Sequence, residues 1–152
     1  MSTEESFEVN TARDALSLLS IKMHEKFDKE VLSEIEEVWY KLGLSIGKKM
    51  KENLPENGLA AVGQLFLDSG RKRGTKVDVL ELNDQKIHIK SYRCALGLKG
   101  HGRELCKAAM GCDRGLFEAA TNRQVQLKSH KTLAADDDCC EIVIETKETH
   151  NS

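Results

Sequence analysis

Apolar residues recur at three- and four-residue steps through the first half of the chain, and then the period shortens to two. Val9, Ala12, Leu16, Leu19, Met23 and Phe27 make one helical stripe, and Asn10 or Thr11 can cap it. A second helix follows Asp28 as its cap, with Val31, Ile35, Val38, Leu42 and Ile46 on the inner face and Trp39 beside them. Pro55 is the only proline; it lacks the amide hydrogen a helix needs and ends this second element. A third helix is expected over residues 57–72, with Leu59, Val62, Leu65 and Phe66 inward and Gly74 as its stop.

Beyond residue 75 the pattern alternates. "KVDVLEL" and "KIHIKSY" read as strands around an Asn83-Asp84-Gln85 turn. A fourth helix falls within residues 101–121, and "RQVQLKSHKTL" and "CEIVIETK" form a second strand pair. Strands grouped as hairpins with the helices segregated predict an α+β fold. The expected architecture is a helical N-terminal half followed by a four-stranded antiparallel sheet, with one helix inserted between two hairpins. The 152 residues suit a single domain, with residues 1–9 and 148–152 as flexible tails.

Composition narrows the function classes. A hydrophobic content of 39% with 32% charged residues supports a compact core. A net charge of -2 argues against nucleic-acid binding through bulk positive charge. The short Arg71-Lys72-Arg73 cluster reads as a solvated helix end. No stretch approaches the ~20 apolar residues of a membrane span, and "MSTEESFEVN" lacks a signal pattern. A cytoplasmic protein without membrane contact is expected. Gly43 and Gly47, four apart on the second helix, would allow close contact with a second copy, so a homodimer is expected.

In that compartment the five cysteines are reduced thiols. All lie within residues 94–140. Alternation places Cys140 with Ile142 and Ile144 toward the core, and Cys139 with Glu141 and Val143 toward a wetter face. It groups His88, Lys90, Tyr92 and Cys94 opposite Ile87 and Ile89. Cys106 and Cys112 diverge by about 120° on an unbroken helix, and Cys112 lies on the more apolar stripe. His101 shares that face but sits ~16 Å away unless Gly111 breaks the helix. No CxxC, HExxH or zinc-finger spacing is present. Cys94, Cys112 and Cys140 could still converge to hold Zn or Fe, or pack as small buried hydrophobes. The glycines of "GLKGHG" fit no established phosphate-loop spacing, although free amides there could meet an anion. The aspartates 136–138 read as a solvated turn.

"SYRCALG", "GCDRG" and "HKTLAADDDCCEIVIE" together resemble the 2-amino-thiazoline-4-carboxylate hydrolase-like family and, more distantly, the 4-vinyl reductase small-molecule-binding domains. The resemblance covers about residues 36–147. Cys94, Cys112, Asp137 and Cys140 fall in the matching places. Ala95 replaces a proline and Asp136 a glycine of the family pattern. The resemblance implies a cysteine-lined small-molecule or metal site that hydrolyses a small C–N compound, with Cys94 and Cys112 as nucleophile or metal ligands. His101, His130 or Asp137 would move protons, and Lys90, Arg93 or Arg103 would hold a substrate carboxylate. The alternatives are a binding or sensor module without chemistry, and a purely structural role for the thiols.

Overall fold

The computed structural model describes residues 7–147; the remainder of both expected tails lies outside the described residues. Helix α1 spans Ala12–Phe27. Thr11 caps it by a reciprocal exchange: its hydroxyl accepts the Asp14 amide at 3.1 Å, and the Asp14 carboxylate accepts the Thr11 amide at 3.1 Å. The inner face is not the expected stripe. Ser17, Ser20 and Ile21 are buried, whereas Val9, Leu19 and Phe27 are exposed. Trp39 explains the rotation. Its fully buried indole N–H requires an acceptor and donates to Ser20 Oγ at 3.0 Å. Phe7, in the expected N-terminal tail, packs partly buried against the same core.

Asp28 opens a short 3-10 turn, Asp28–Val31, at φ 54° rather than capping the next helix directly. Helix α2, Leu32–Glu52, buries Ile35, Trp39, Gly43 and Gly47, a row at steps of four. Val38 faces outward, not inward. Helix α3, Leu59–Lys72, buries Leu59, Val62, Gly63 and Leu67.

The sheet consists of β1 (Val77–Leu82), β2 (Lys86–Ser91), β3 (Val125–Lys131) and β4 (Cys140–Thr146). All pairings are antiparallel, in the order β1-β2-β4-β3. The Asn83 side-chain oxygen accepts the amides of Gln85 and Lys86 at 2.9 Å each and closes the first hairpin. In the central pair, Ile87 meets Ile144 and Ile89 meets Ile142 on the covered face. His88 and Glu141 pair at 2.8 Å on the opposite face. The fold is α+β, with its helical segment inserted between the hairpins as expected. Among the described residues no helix is long and apolar enough to cross a membrane.

That inserted segment is two helices, not one: α4, Arg103–Ala109, and α5, Gly111–Thr121, which meet at Met110. Helix α5 lies against α2 across four glycines. A Cβ on Gly43 would strike the Cys112 carbonyl, on Gly47 the Leu116 carbonyl, and on Gly115 the Tyr40 carbonyl; on Gly111 it would stand 2.9 Å from the Glu36 carbonyl oxygen. Gly43 and Gly47 therefore serve a contact inside the chain, and the argument for a dimer built on them falls away. Tyr40 reinforces the pair by donating its hydroxyl to Glu118 at 2.6 Å beneath the Arg114 guanidinium, 4.2 Å from the ring centroid.

The core has two parts. One gathers Ile21, Ile35, Trp39, Leu105 and Ala109 around α1, α2 and α4; the other gathers Leu59, Val62, Phe117 and the sheet isoleucines 87, 89 and 144. Ile46, Leu127 and Ile142 touch both parts, and a cavity is lined by members of each.

Candidate functional site

The cavity measures about 240 Å³. Its apolar wall comes from Ile46 and Met50 of α2, Phe66 and Leu67 of α3, Ile89 of β2 and Ile142 of β4. Arg13, Arg73 and Arg93 line it too, and also border an outer recess of about 330 Å³ together with Thr11, Asp14, Thr75 and Ala95. Because the shared residues are Arg13, Arg73, Thr75, Arg93 and Ala95, recess and cavity adjoin at an arginine-bearing mouth.

Four thiols line the same cavity: Cys94 from the loop after β2, Cys106 of α4, Cys112 of α5 and Cys140 of β4. The break at Met110 accounts for the joint presence of Cys106 and Cys112, which one straight helix would hold apart. Cys94 leaves the expected company of His88, Lys90 and Tyr92 because the strand ends at Ser91, whose hydroxyl donates to the Arg93 carbonyl at 3.1 Å. Cys139 departs from expectation as well. It is 2% exposed despite lying on the nominally wet side, with Asp138, Lys131 and Lys90 as its charged neighbours.

Burial pushes the Cys112 thiol up to about 12, with the Asp113 carboxylate adding to the effect. Burial also pushes Cys106 to about 11 and raises Cys140. These groups are therefore protonated thiols near neutral pH. The sulfurs are also hydrogen-bonded: Cys94 accepts the Leu98 amide at 3.2 Å, Cys106 the Thr132 hydroxyl at 3.1 Å, and Cys140 the Leu133 amide at 3.4 Å. Cys94 acts electrostatically on Cys106 and Cys140, whereas the charged neighbours of Cys112 are Asp113 and Arg13. Among the described residues no three or more His, Cys, Asp or Glu side chains are grouped so as to hold a metal ion. Cys94, Cys112 and Cys140 all line the one cavity, with Cys106 as a fourth thiol.

The other candidates sit elsewhere. Asp137 accepts the Thr132 amide at 2.8 Å and the Arg103 guanidinium at 3.3 Å, which ties the β3–β4 connection together. Asp136, which stands where the resemblance above expected a glycine, takes the left-handed backbone at φ 64°; aspartate is one of the few side chains that tolerates it. His130 stacks edge-on with His88, ring centroids 6.4 Å apart. The glycine-rich loop does not present the free amides that an anion would need at Gly100 and Gly102. Gly100 donates to the Leu133 carbonyl at 3.2 Å and Gly102 to that of Ala134 at 2.8 Å.

No family model matches the chain, and no curated protein sequence matches it. Solved structures do. A trafficking protein particle complex subunit 3 from Naegleria fowleri, covalently bound to palmitic acid, aligns with a TM-score of 0.64 at 16% identity, over 92% of this chain and 98% of that one. The phenol-responsive sensory domain of the transcription activator PoxR, solved with phenol, aligns with a TM-score of 0.63 at 11% identity, over 91% of this chain and 76% of that one. An H-NOX protein from Shewanella oneidensis in the Fe(II)NO ligation state aligns with a TM-score of 0.53 at 12% identity, over 92% and 78%. The chain shares their fold. At these identities the likeness reaches the backbone architecture and stops there, so the chemistry must be read from this chain's own cavity.

Two parts of that chemistry were not visible in the sequence. Asp113, beside Cys112 on α5, lines the cavity. Burial raises its carboxyl to about 6, while Arg13 and Arg73 pull the other way. Arg73, read above as part of a solvated helix end, is the residue that caps α3 and borders the mouth. Only their tertiary placement joins these residues, which come from α1, α3 and α5.

Proposed function

We propose that the chain is a small-molecule-binding module that acts by occupancy of this cavity, without turnover. The observation that carries the reading is the cavity itself: an apolar chamber between two core clusters, reached through a polar mouth. Such sites, mostly apolar with a few convergent polar groups, are the usual form of a ligand pocket. A volume near 240 Å³ favours a compact ligand. The neighbours solved with phenol and with palmitic acid support a small-molecule-binding reading of this fold.

Several features weigh toward binding and against the hydrolytic alternative. A thiol held near 12 at Cys112 supplies little thiolate to attack a C=N carbon. Asp137 is engaged by Thr132 and Arg103 and does not line the chamber. Among the described residues no histidine lines it either.

The test is thermal unfolding with a panel of small apolar compounds, followed by mass spectrometry of the compounds after prolonged incubation. The reading expects ligand-dependent stabilisation at one-to-one stoichiometry with every compound recovered intact. A hydrolysed C–N compound, produced by the parent chain and not by Cys112→Ser, would overturn it. Elemental analysis of the purified chain addresses bound zinc or iron directly.

A further inference from the structure

The ligand class can be narrowed from the mouth. Arg13 enters from the first turn of α1, Arg73 from the end of α3, and Arg93 from the loop after β2. Among the described residues none of the three has a carboxylate within ion-pair distance, whereas Arg103 and Arg114 both do. Two carboxylates lie nearby and act on them through space. Asp14 is committed to its helix cap, accepting the amides of Asn10 and Thr11 at 3.0 and 3.1 Å. Asp113 lies in the chamber, its carboxyl raised to about 6 by burial and drawn down by Arg13 and Arg73, so it carries charge at neutral pH without a direct ion pair to any of the three.

Arg13 and Arg73 stand close enough for one charge to act on the other. Burial depresses the Arg73 guanidinium, the charge of Arg13 depresses it further, and the Asp113 carboxylate acts the other way. Arg93 is held in place by its own donation to the Arg73 carbonyl at 3.1 Å. Guanidinium groups at the rim of an apolar chamber, without a direct ion pair, suit an anion, and a planar carboxylate matches their fork geometry. Asp14 and Asp113 oppose a second negative charge at the same place, which favours a monoanion over a phosphate dianion.

We infer that the cavity takes an amphipathic monocarboxylate, its head at Arg13, Arg73 and Arg93 and its apolar body in the chamber walled by Ile46, Leu67, Ile89 and Ile142. This rests on the binding-module reading above and specifies its ligand. Affinity comes from the buried hydrocarbon, and the arginines discriminate between head groups.

Isothermal titration with octanoate, 1-octanol and acetate at neutral pH tests it, using the parent chain, Arg73→Gln and Arg13→Gln. The proposal expects octanoate to bind about tenfold or more tighter than octanol, as charge-assisted hydrogen bonds imply, and acetate not to compete. Each glutamine variant should lose about tenfold for octanoate while its octanol affinity is unchanged, which also certifies an intact chamber. Equal affinities for octanoate and octanol would overturn the carboxylate assignment and leave the binding module standing. Octanoate affinity unaltered in both variants would overturn it as well. Failure of both octanoate and octanol to bind would overturn the module and the assignment together.

Discussion

Gly43 of α2 lies directly against the backbone carbonyl of Cys112 on α5, with no room between them for a side chain. That contact sets how deeply α5 sits, and therefore where Cys112 and Asp113 enter the cavity. The opposing atoms belong to a helix backbone and cannot swing aside as a side-chain tip would. Gly43→Ala is expected to destabilise the protein by roughly 3 kcal/mol. The contrast is Gly70→Ala on α3, where the nearest new neighbour is Thr75 Cβ at 3.9 Å. That change is expected to stabilise by about 0.5–1 kcal/mol through helix propensity and a restricted unfolded chain. Equilibrium denaturation of both variants checks the pair.

Asp113 gives stability a pH dependence of defined sign. Its carboxyl stays protonated in the fold up to about pH 6, against 3.8 for the ordinary group, because burial disfavours the charge more than Arg13 and Arg73 favour it. The folded chain therefore binds more protons than the unfolded chain between these values, and stability falls as pH rises through the window. Asp113→Asn removes that fall. The variant is expected to gain up to about 3 kcal/mol over the parent at pH 7.5 and little at pH 4. Thermal unfolding across this range reads the difference, and a constant offset at all pH values would contradict it.

The thiol chemistry can be checked by alkylation. With Cys106 near 11 and Cys112 near 12, their thiolate populations at pH 8 are small. Labelling of either by iodoacetamide in the folded chain is expected to be at least ~100-fold slower than for free cysteine, and to become ordinary in denaturant. Peptide mapping after timed quenching assigns each site. Rapid labelling of folded Cys112 would restore it as a candidate nucleophile.

The aspartates of the β3–β4 connection divide into two roles. Asp137→Ala leaves the Thr132 amide without its 2.8 Å acceptor and leaves Arg103 only its 3.4 Å bond to the Ser129 carbonyl, for an expected loss of about 1–2 kcal/mol. Asp136→Gly, at φ 64°, is expected to be neutral or stabilising by about 0.5–1 kcal/mol, since glycine relieves the left-handed strain. Octanoate affinity should survive both changes, because neither residue lines the chamber. Loss of binding in Asp137→Ala with stability intact would place that carboxylate in the site.

Local pattern carried the fold, and tertiary contacts decided the site. The strand pairs were legible because alternation at Ile87, Ile89, Ile142 and Ile144 is a short-range signal that the sheet register preserves. The inner faces of α1 and α2 were not. Ser20 turns inward to meet the Trp39 indole, and Gly43 turns inward to admit α5; neither reason is apolar. Gly43, Gly47, Gly111 and Gly115 did hold a signal, since two pairs of glycines at steps of four suit a close helix pair, although the first pair was assigned to a second copy. The helix break at Met110 has no proline to announce it, and it is what lets Cys106 join Cys112 at the cavity. Arg13, Arg73 and Asp113 lie far apart in sequence, and their like and unlike charges meet only through the packing of α1, α3 and α5.

The central claim is that a ligand enters the chamber between the two core clusters, and methyl NMR during an octanoate titration tests it most directly. The account predicts saturable shifts at the methyl groups of Ile46, Leu67, Ile89 and Ile142, with the exposed methyls of Leu19, Val38 and Leu80 unmoved. Shifts confined to Leu19, Val38 and Leu80, with the cavity methyls silent at saturating octanoate, would contradict it.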